Sequence, residues 1–188
     1  FYAVGGEQLR YKIWLTEGVT PSEPVGELLA GTELVQPFTA DGNELTAVQL
    51  QISTYARKNI CHLKVEIEDA NGESIGAAAI STEELEDNSA CRIGFEQPVQ
   101  VAKGNRYLLR LTSPDGTVGN AVTVWWGNTL PMARYDVAVA IPAEDHLQKN
   151  GQPVDGMLQF QLEEKEEFWF GHAYWYLVAA CGAILAVY

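Results

Sequence analysis

Residues 45–54 read LTAVQLQIST, and residues 61–69 read CHLKVEIED. In the first run Val48, Leu50 and Ile52 fall on one side and Gln49, Gln51 and Ser53 on the other. That period of two is the mark of a strand with one buried face. The second run repeats it, with Cys61, Leu63, Val65 and Ile67 inward against His62, Lys64, Glu66 and Glu68. Asp69-Ala70-Asn71-Gly72 follows at once and supplies residues that tolerate a left-handed backbone, so a hairpin turn is expected there.

Working outward from these two runs, further strands are expected over residues 33–39, 74–80, 91–96, 106–112, 120–127 and 156–163. Turn signals separate them, among them Asp41-Gly42-Asn43, Lys103-Gly104-Asn105, Ser113-Pro114-Asp115-Gly116 and Asn150-Gly151. Ser81-Thr82-Glu83-Glu84-Leu85 is the exception, reading as a single helical turn between two strands. Short strands without crossover helices give an all-β antiparallel sandwich, and about eight of them suit a jelly roll. That sandwich is assigned to residues 31–164. Residues 1–30 form a lead-in with an edge strand near residues 12–16 and a linker around Thr20-Pro21-Ser22-Glu23-Pro24.

Residues 165–188 are expected to form a transmembrane helix. From 168 to 188 the chain reads FWFGHAYWYLVAACGAILAVY, with no Asp, Glu, Lys or Arg. Trp169, Tyr174, Trp175 and Tyr176 crowd its first half, as aromatic residues do at a headgroup interface, and the acid-rich run from Glu163 to Glu167 lies just outside it. An acidic domain of this kind is expected on the extracytoplasmic side. The chain starts at Phe1 and reads as an excised segment, with FYAV the end of a preceding span and Val187-Tyr188 running on into further membrane sequence.

Lys and Arg number 12 against 25 Asp and Glu, a net charge of −13 over 188 residues, which removes the electrostatic basis for binding DNA or RNA. At 47% hydrophobic and 20% charged the chain is too apolar to be disordered. Three cysteines without a C-x-x-C pair make neither a disulfide scaffold nor a zinc site. Cys61 and Cys91 both take the inward phase of their strands, as buried free thiols or as a bridge across the sandwich, the free form being the preferred reading. No catalytic motif is present, so the segment is read as noncatalytic.

Candidate binding residues sit in loops and on one strand. Tyr55, Arg57 and Asn59 are spaced two apart and project together if the segment is extended, offering a ring, a forked donor and an amide suited to a sugar or a carboxylate. The alternative is that they tie the loop to the sandwich rim. Trp125 and Trp126 are adjacent, so one must face outward. With Val122, Val124 and Trp126 as the core set, Trp125 is either a stacking platform or a ring covered by the loop that follows. Asn120 is the further polar candidate. Asp41, Asn43, Glu44, Asp115 and Asn120 are of a kind that binds calcium but lack the spacing of a dedicated loop, which leaves calcium as the one candidate cofactor. Glu144, Asp145 and His146 are consecutive in a loop and cannot converge on one metal.

The runs PFTADGNELTAVQLQISTYARKNICHLKVEIEDANGESI, LEDNSACRIGFEQPVQVAKGNRYLLRLTSPDG, GNAVTVWWGN and NGQPVDGMLQFQLEE together resemble the jelly-roll, carbohydrate-binding-module-like domains found outside the membrane in bacterial multi-pass proteins of surface polysaccharide assembly, including membrane glycosyltransferase-like proteins. The motifs that carry it are T-Y-A-R-x-N around Tyr55, Arg57 and Asn59, L-x-D-N around Asp87 and Asn88, and G-N-A-V around Asn120. The resemblance spans roughly residues 33–163; the long loop over residues 129–148 and the cysteines at 61 and 91 depart from it. It implies a noncatalytic module that binds or positions a glycan or a lipid-linked sugar. The other reading is a structural domain that packs on its own membrane protein or on a partner subunit.

Overall fold

A computed structural model describes residues 11–15, 19–20, 23–131 and 138–167, together with Tyr176 and Cys181. Its strands, in chain order, are β1 (Tyr11–Leu15), β2 (Glu23–Pro24), β3 (Glu33–Thr39), β4 (Glu44–Ser53), β5 (His62–Glu68), β6 (Ser74–Ser81), β7 (Ser89–Gln100), β8 (Arg106–Thr112), β9 (Thr123–Gly127), β10 (Thr129–Pro131), β11 (Ala138–Ala140), β12 (Gln148–Lys149), β13 (Gln152–Pro153), β14 (Met157–Leu158) and β15 (Phe160–Glu167). The protein is all-β: thirteen of these strands make two antiparallel sheets packed face to face as a β-sandwich, and β10 and β11 pair with each other apart from them.

In the first sheet β4 carries β7 along one edge. Its other edge is shared: β15 pairs from Glu44 to Leu50, and β9 takes over at Ile52 and Ser53. β1 lies outside β15, while β2 and β14 pair with β9. The second sheet runs β13-β12-β3-β8-β5-β6. The alternation of the sequence becomes the core directly: Val48, Leu50, Ile52, Ile93, Val124, Leu158, Phe160 and Leu162 of the first sheet meet Leu34, Leu63, Val65, Ile67, Leu109 and Leu111 of the second, all buried. Each such side chain contributes on the order of 1.5–3 kcal/mol by leaving water.

The turns follow their chemistry. Asn150 and Gly151 both take positive φ, 51° and 74°, and close the β12–β13 hairpin, while the Asn150 side chain accepts from Glu33 N at 2.8 Å. Gly72 and Gly104 supply the left-handed residue of the turns after β5 and before β8.

Several elements differ from the sequence expectation. The turn at residues 82–85 is a β-turn closed by Leu85 N to Thr82 O and not a helical turn. There the Thr82 hydroxyl reaches Asn59 O and Cys61 O instead of capping a helix. The strand expected at 120–127 begins only at Thr123, leaving Asn120 in a tight turn bridged to Thr117. β7 reaches Gln100, but Phe95, Glu96, Gln97 and Pro98 together stand opposite Thr46 alone, a wide bulge that a pattern of alternation cannot reveal.

Strand β15 continues past residue 164 to Glu167, whose partner is Tyr11, so residues 165–167 are strand and not the start of a helix. The remainder of the expected transmembrane helix lies outside the described residues apart from Tyr176 and Cys181, both helical and exposed. Among the described residues no helix is long and apolar enough to cross a membrane. Cys61 and Cys91 are free, the first buried just before β5 and the second partly covered on β7.

Glu164 is a fully buried acid at a break in the β15–β4 register. One carboxylate oxygen accepts from Asp41 N at 3.1 Å, and the other has no partner among the described residues. Burial pushes its carboxyl above the usual carboxylate range, and the nearby Asp41 charge acts in the same direction. A carboxyl raised on folding binds its proton more tightly in the native state. Its contribution is therefore full at pH below the unfolded value and is lost as pH rises through the folded one. Glu164→Gln is expected to flatten that decline. Urea midpoints measured from pH 4 to 8 should converge with wild type at the acid end and exceed it at pH 7 and above.

Candidate functional site

The loop between β4 and β5 does not run extended. Tyr55 and Ala56 both adopt left-handed conformations, with φ of 58° and 55°, and Arg57 N closes the turn onto Thr54 O. Neither residue is glycine, so the turn needs outside support. Asp87 gives it: one carboxylate oxygen accepts from Ser53 Oγ at 2.8 Å, Thr54 N at 2.6 Å and Thr54 Oγ1 at 3.2 Å. These donors hold the Asp87 carboxyl below the usual range, the Ser53 hydroxyl contributing most.

Arg57 then folds back. Its guanidinium carbon lies 4.9 Å from the centre of the Tyr55 ring, Nε donates to Asn59 Oδ1 at 3.1 Å, and Nη2 reaches Ala121 O at 3.2 Å and the Glu27 carboxylate. Glu27 also accepts from Gly119 N at 3.1 Å. Asn59 is fully buried and donates to Thr54 O at 3.1 Å. Asn120 brackets Ile60, accepting its N–H at 2.6 Å and donating to its carbonyl at 3.0 Å.

Tyr55, Arg57, Asn59 and Asn120 are thus brought together at one end of the sandwich. The three short motifs meet there, with their polar groups largely used on one another. Their arrangement is that of a rim tie, the reading in which they fasten loop to sandwich. Glu27, which anchors the arginine, was missed because nothing in its local sequence marks it.

Trp125 goes elsewhere. It lies on the outer face of the first sheet, where β4 exchanges β15 for β9, and its carbonyl accepts from Gln159 N at 2.8 Å. Its ring is partly covered, and its indole N–H is buried without a partner among the described residues. Trp126 packs on the core beside Val122 and Val124.

Around Trp125 the outward positions of two paired strands carry glutamines. Gln161 stands opposite Gln49, Gln159 carbonyl accepts from Gln51 N at 3.2 Å, and the four side chains with Ala90 line a shallow depression of about 110 Å³ over Leu50 and Phe160. Gln51 also donates to Asn88 O at 2.8 Å, and Gln159 Oε1 is buried and unpartnered among the described residues. One row along, Arg92 forks onto Glu163 at 2.9 and 3.0 Å, which holds that carboxyl below its usual range. The glutamines carried a legible signal, since VQLQI at 48–52 and LQFQL at 158–162 share one pattern, but only the pairing of β4 with β15 turns two patterns into one surface.

Two of the turn residues considered for calcium are engaged elsewhere. Asp115 accepts from the backbone and ring nitrogens of His62 at 2.8 and 2.6 Å, which lowers its carboxyl, and Asn120 is spent on Ile60. Among the described residues no group of three His, Cys, Asp or Glu side chains is placed to hold a metal ion.

A rim tie predicts specific stability effects. Arg57→Ala leaves the buried Asn59 oxygen without its donor and should cost about 1–3 kcal/mol of unfolding free energy, while Tyr55→Ala should cost less than about 1 kcal/mol. Ala56→Gly removes a left-handed alanine and should stabilise by about 0.5–1 kcal/mol. Urea denaturation of the three variants reads all of these.

No family model matches this chain, and no curated protein matches it. One solved structure, from "Crystal structure of the T13 IBDV viral particle reveals a missing link in icosahedral viruses evolution", is similar over 91% of this chain at 9% identity with a TM-score of 0.34. This chain covers 46% of that one, less than half its length, and a likeness so distant carries no argument about function.

Proposed function

We propose that this is a noncatalytic, extracytoplasmic β-sandwich of jelly-roll type that binds or positions an envelope glycan or a lipid-linked sugar for a membrane protein of cell-envelope polysaccharide biosynthesis. The observation that carries the reading is the depression lined by Gln49, Gln51, Gln159 and Gln161, which Trp125 adjoins through the bond from Gln159 N to its carbonyl. An amide presents a donor and an acceptor in one plane, which matches the paired hydroxyls of a sugar, and an indole adds an apolar surface with one donor at its edge. Sugar sites on sheet faces are shallow, as this one is. The tether in this reading is the charge-free stretch 168–188. The resemblance of the loop motifs to modules of surface polysaccharide assembly supports the class of ligand.

One observation favours a second reading, a structural domain that contacts its own membrane protein or a partner subunit. Ile60 and Val118 are 69% and 81% exposed in the rim loops that also hold the 39% exposed Tyr55, and apolar side chains grouped at one end of a fold are what a contact surface uses.

A glycan array followed by calorimetric titration of the full chain tests the first reading. Binding of an envelope sugar is expected, weakened about tenfold by Trp125→Ala and by Gln161→Ala, a loss of about 1.4 kcal/mol, and left unchanged by Arg57→Lys. A sugar whose affinity responds to Arg57 and not to Gln161 moves the site to the rim; absence of any glycan binding leaves the contact domain.

A further inference from the structure

Strand β6 is the outer strand of the second sheet: it pairs with β5 on one side, and no described strand pairs with it on the other. It reads SIGAAAIS, eight residues without a charge or a proline. Gly76, Ala78 and Ile80 turn toward the core, and Ile75, Ala77, Ala79 and Ser81 are exposed. Sheet edges in stable proteins are guarded by lysine, proline or a bulge, because a row of unpaired N–H and C=O groups will accept another strand. β6 has neither lysine nor proline, and its one register break with β5 lies at its start, where Ile75 falls between the pairs Gly76–Ile67 and Ser74–Glu68, so Gly76 to Ser81 is a regular, unguarded edge.

A larger bulge stands on the neighbouring β7. Phe95-Glu96-Gln97-Pro98 swings away from β4 and, with Ile75, Gly76 and Ala77, walls an open groove of about 510 Å³ along this edge. At the groove floor the strands approach so closely that a side chain at Gly76 would run into Val99.

Charge decides what fits. The groove holds Glu96 and no cation, Glu73 precedes β6, and Glu83, Glu84 and Glu86 follow it, all exposed. The nearest cation across β5, Lys64, is already bound to Glu66 at 2.9 Å. A second copy of the chain would bring the same acids to the same edge and add to a net charge of −13 on each partner.

We propose that β6 is an acceptor edge for an extended, cationic strand of a partner protein, which pairs with the free side of β6, sets small apolar side chains against Ile75, Phe95 and Pro98, and places lysine or arginine against Glu73, Glu83, Glu84 and Glu96. Main-chain pairing gives the affinity of such a site and the flanking charges give its selectivity. The proposal is independent of the glycan site, which lies on the outer face of the other sheet.

The test uses the full chain and three synthetic peptides with a Val-Thr-Val-Thr-Val centre: one flanked by lysine pairs, one flanked by glutamate pairs, and one lysine-flanked with alternate backbone nitrogens methylated. Fluorescence anisotropy is expected to show the lysine-flanked peptide binding at least about tenfold more tightly than the other two, with affinity falling as salt rises and falling again in Glu96→Lys. Hydrogen exchange should slow at the β6 amides and remain unchanged in β12 and β13 at the opposite edge of the sheet. Unchanged β6 exchange at saturating peptide overturns the proposal, as does equal binding of the methylated peptide. Protection of β6 that grows with protein concentration in the absence of peptide overturns it in favour of a second copy.

Discussion

Strand β4 is the constraint on which the rest depends. Most residues of its ladder pair with β7 on one edge and with β15 or β9 on the other, Thr46 being skipped on both, so its register is fixed from both sides. Because side chains alternate with a period of two, a slip by one residue would turn Gln49 and Gln51 into the core and Val48, Leu50 and Ile52 into water. The same register that seats the apolar side chains therefore aligns the glutamines outside. Core and candidate surface are two faces of one pairing decision.

The exchange of β15 for β9 along one edge of β4 shapes the chemistry on that surface. A strand that continues past its neighbour's end meets a new neighbour there, and at that junction Gln51, Gln159 and Trp125 become adjacent although they come from three distant parts of the chain. The Arg92–Glu163 fork closes the next row. The acid on this face is paired internally with an arginine, and the neighbouring outward positions carry neutral amides.

The rim illustrates the opposite use of polar residues. Two left-handed non-glycine residues impose strain on the loop after β4, and a chain of hydrogen bonds from Asp87 through Thr54 to Asn59, Arg57 and Glu27 holds it in place. Buried amides such as Asn59 and Gln36 each satisfy backbone groups that the loops would otherwise leave bare. Residues that look like ligand contacts in a motif are here the fastening of the loop itself. Tyr55, Ile60 and Val118 reach solvent at that end, beside the exposed Lys58, Asp115 and Thr117.

Much of the architecture was legible in the sequence because strand alternation and turn chemistry are local. Val48, Leu50 and Ile52 were placed inward, Asn150-Gly151 made its hairpin, and two packed antiparallel sheets followed from short strands without crossovers. The bulge at Phe95–Pro98 was not legible, since it is defined by four residues opposing one on another strand, and neither was the burial of Glu164, which depends on the register break beside Glu163. The site divided in the same way. Residue types named Tyr55, Arg57, Asn59, Asn120 and Trp125, but where the Arg57 and Asn120 donors point was decided by contacts across 30 to 64 positions of sequence. The sequence determined which residues face in and which face out, because that is a matter of period. Tertiary structure alone decided which outward residues share a surface, because that depends on which strands pair.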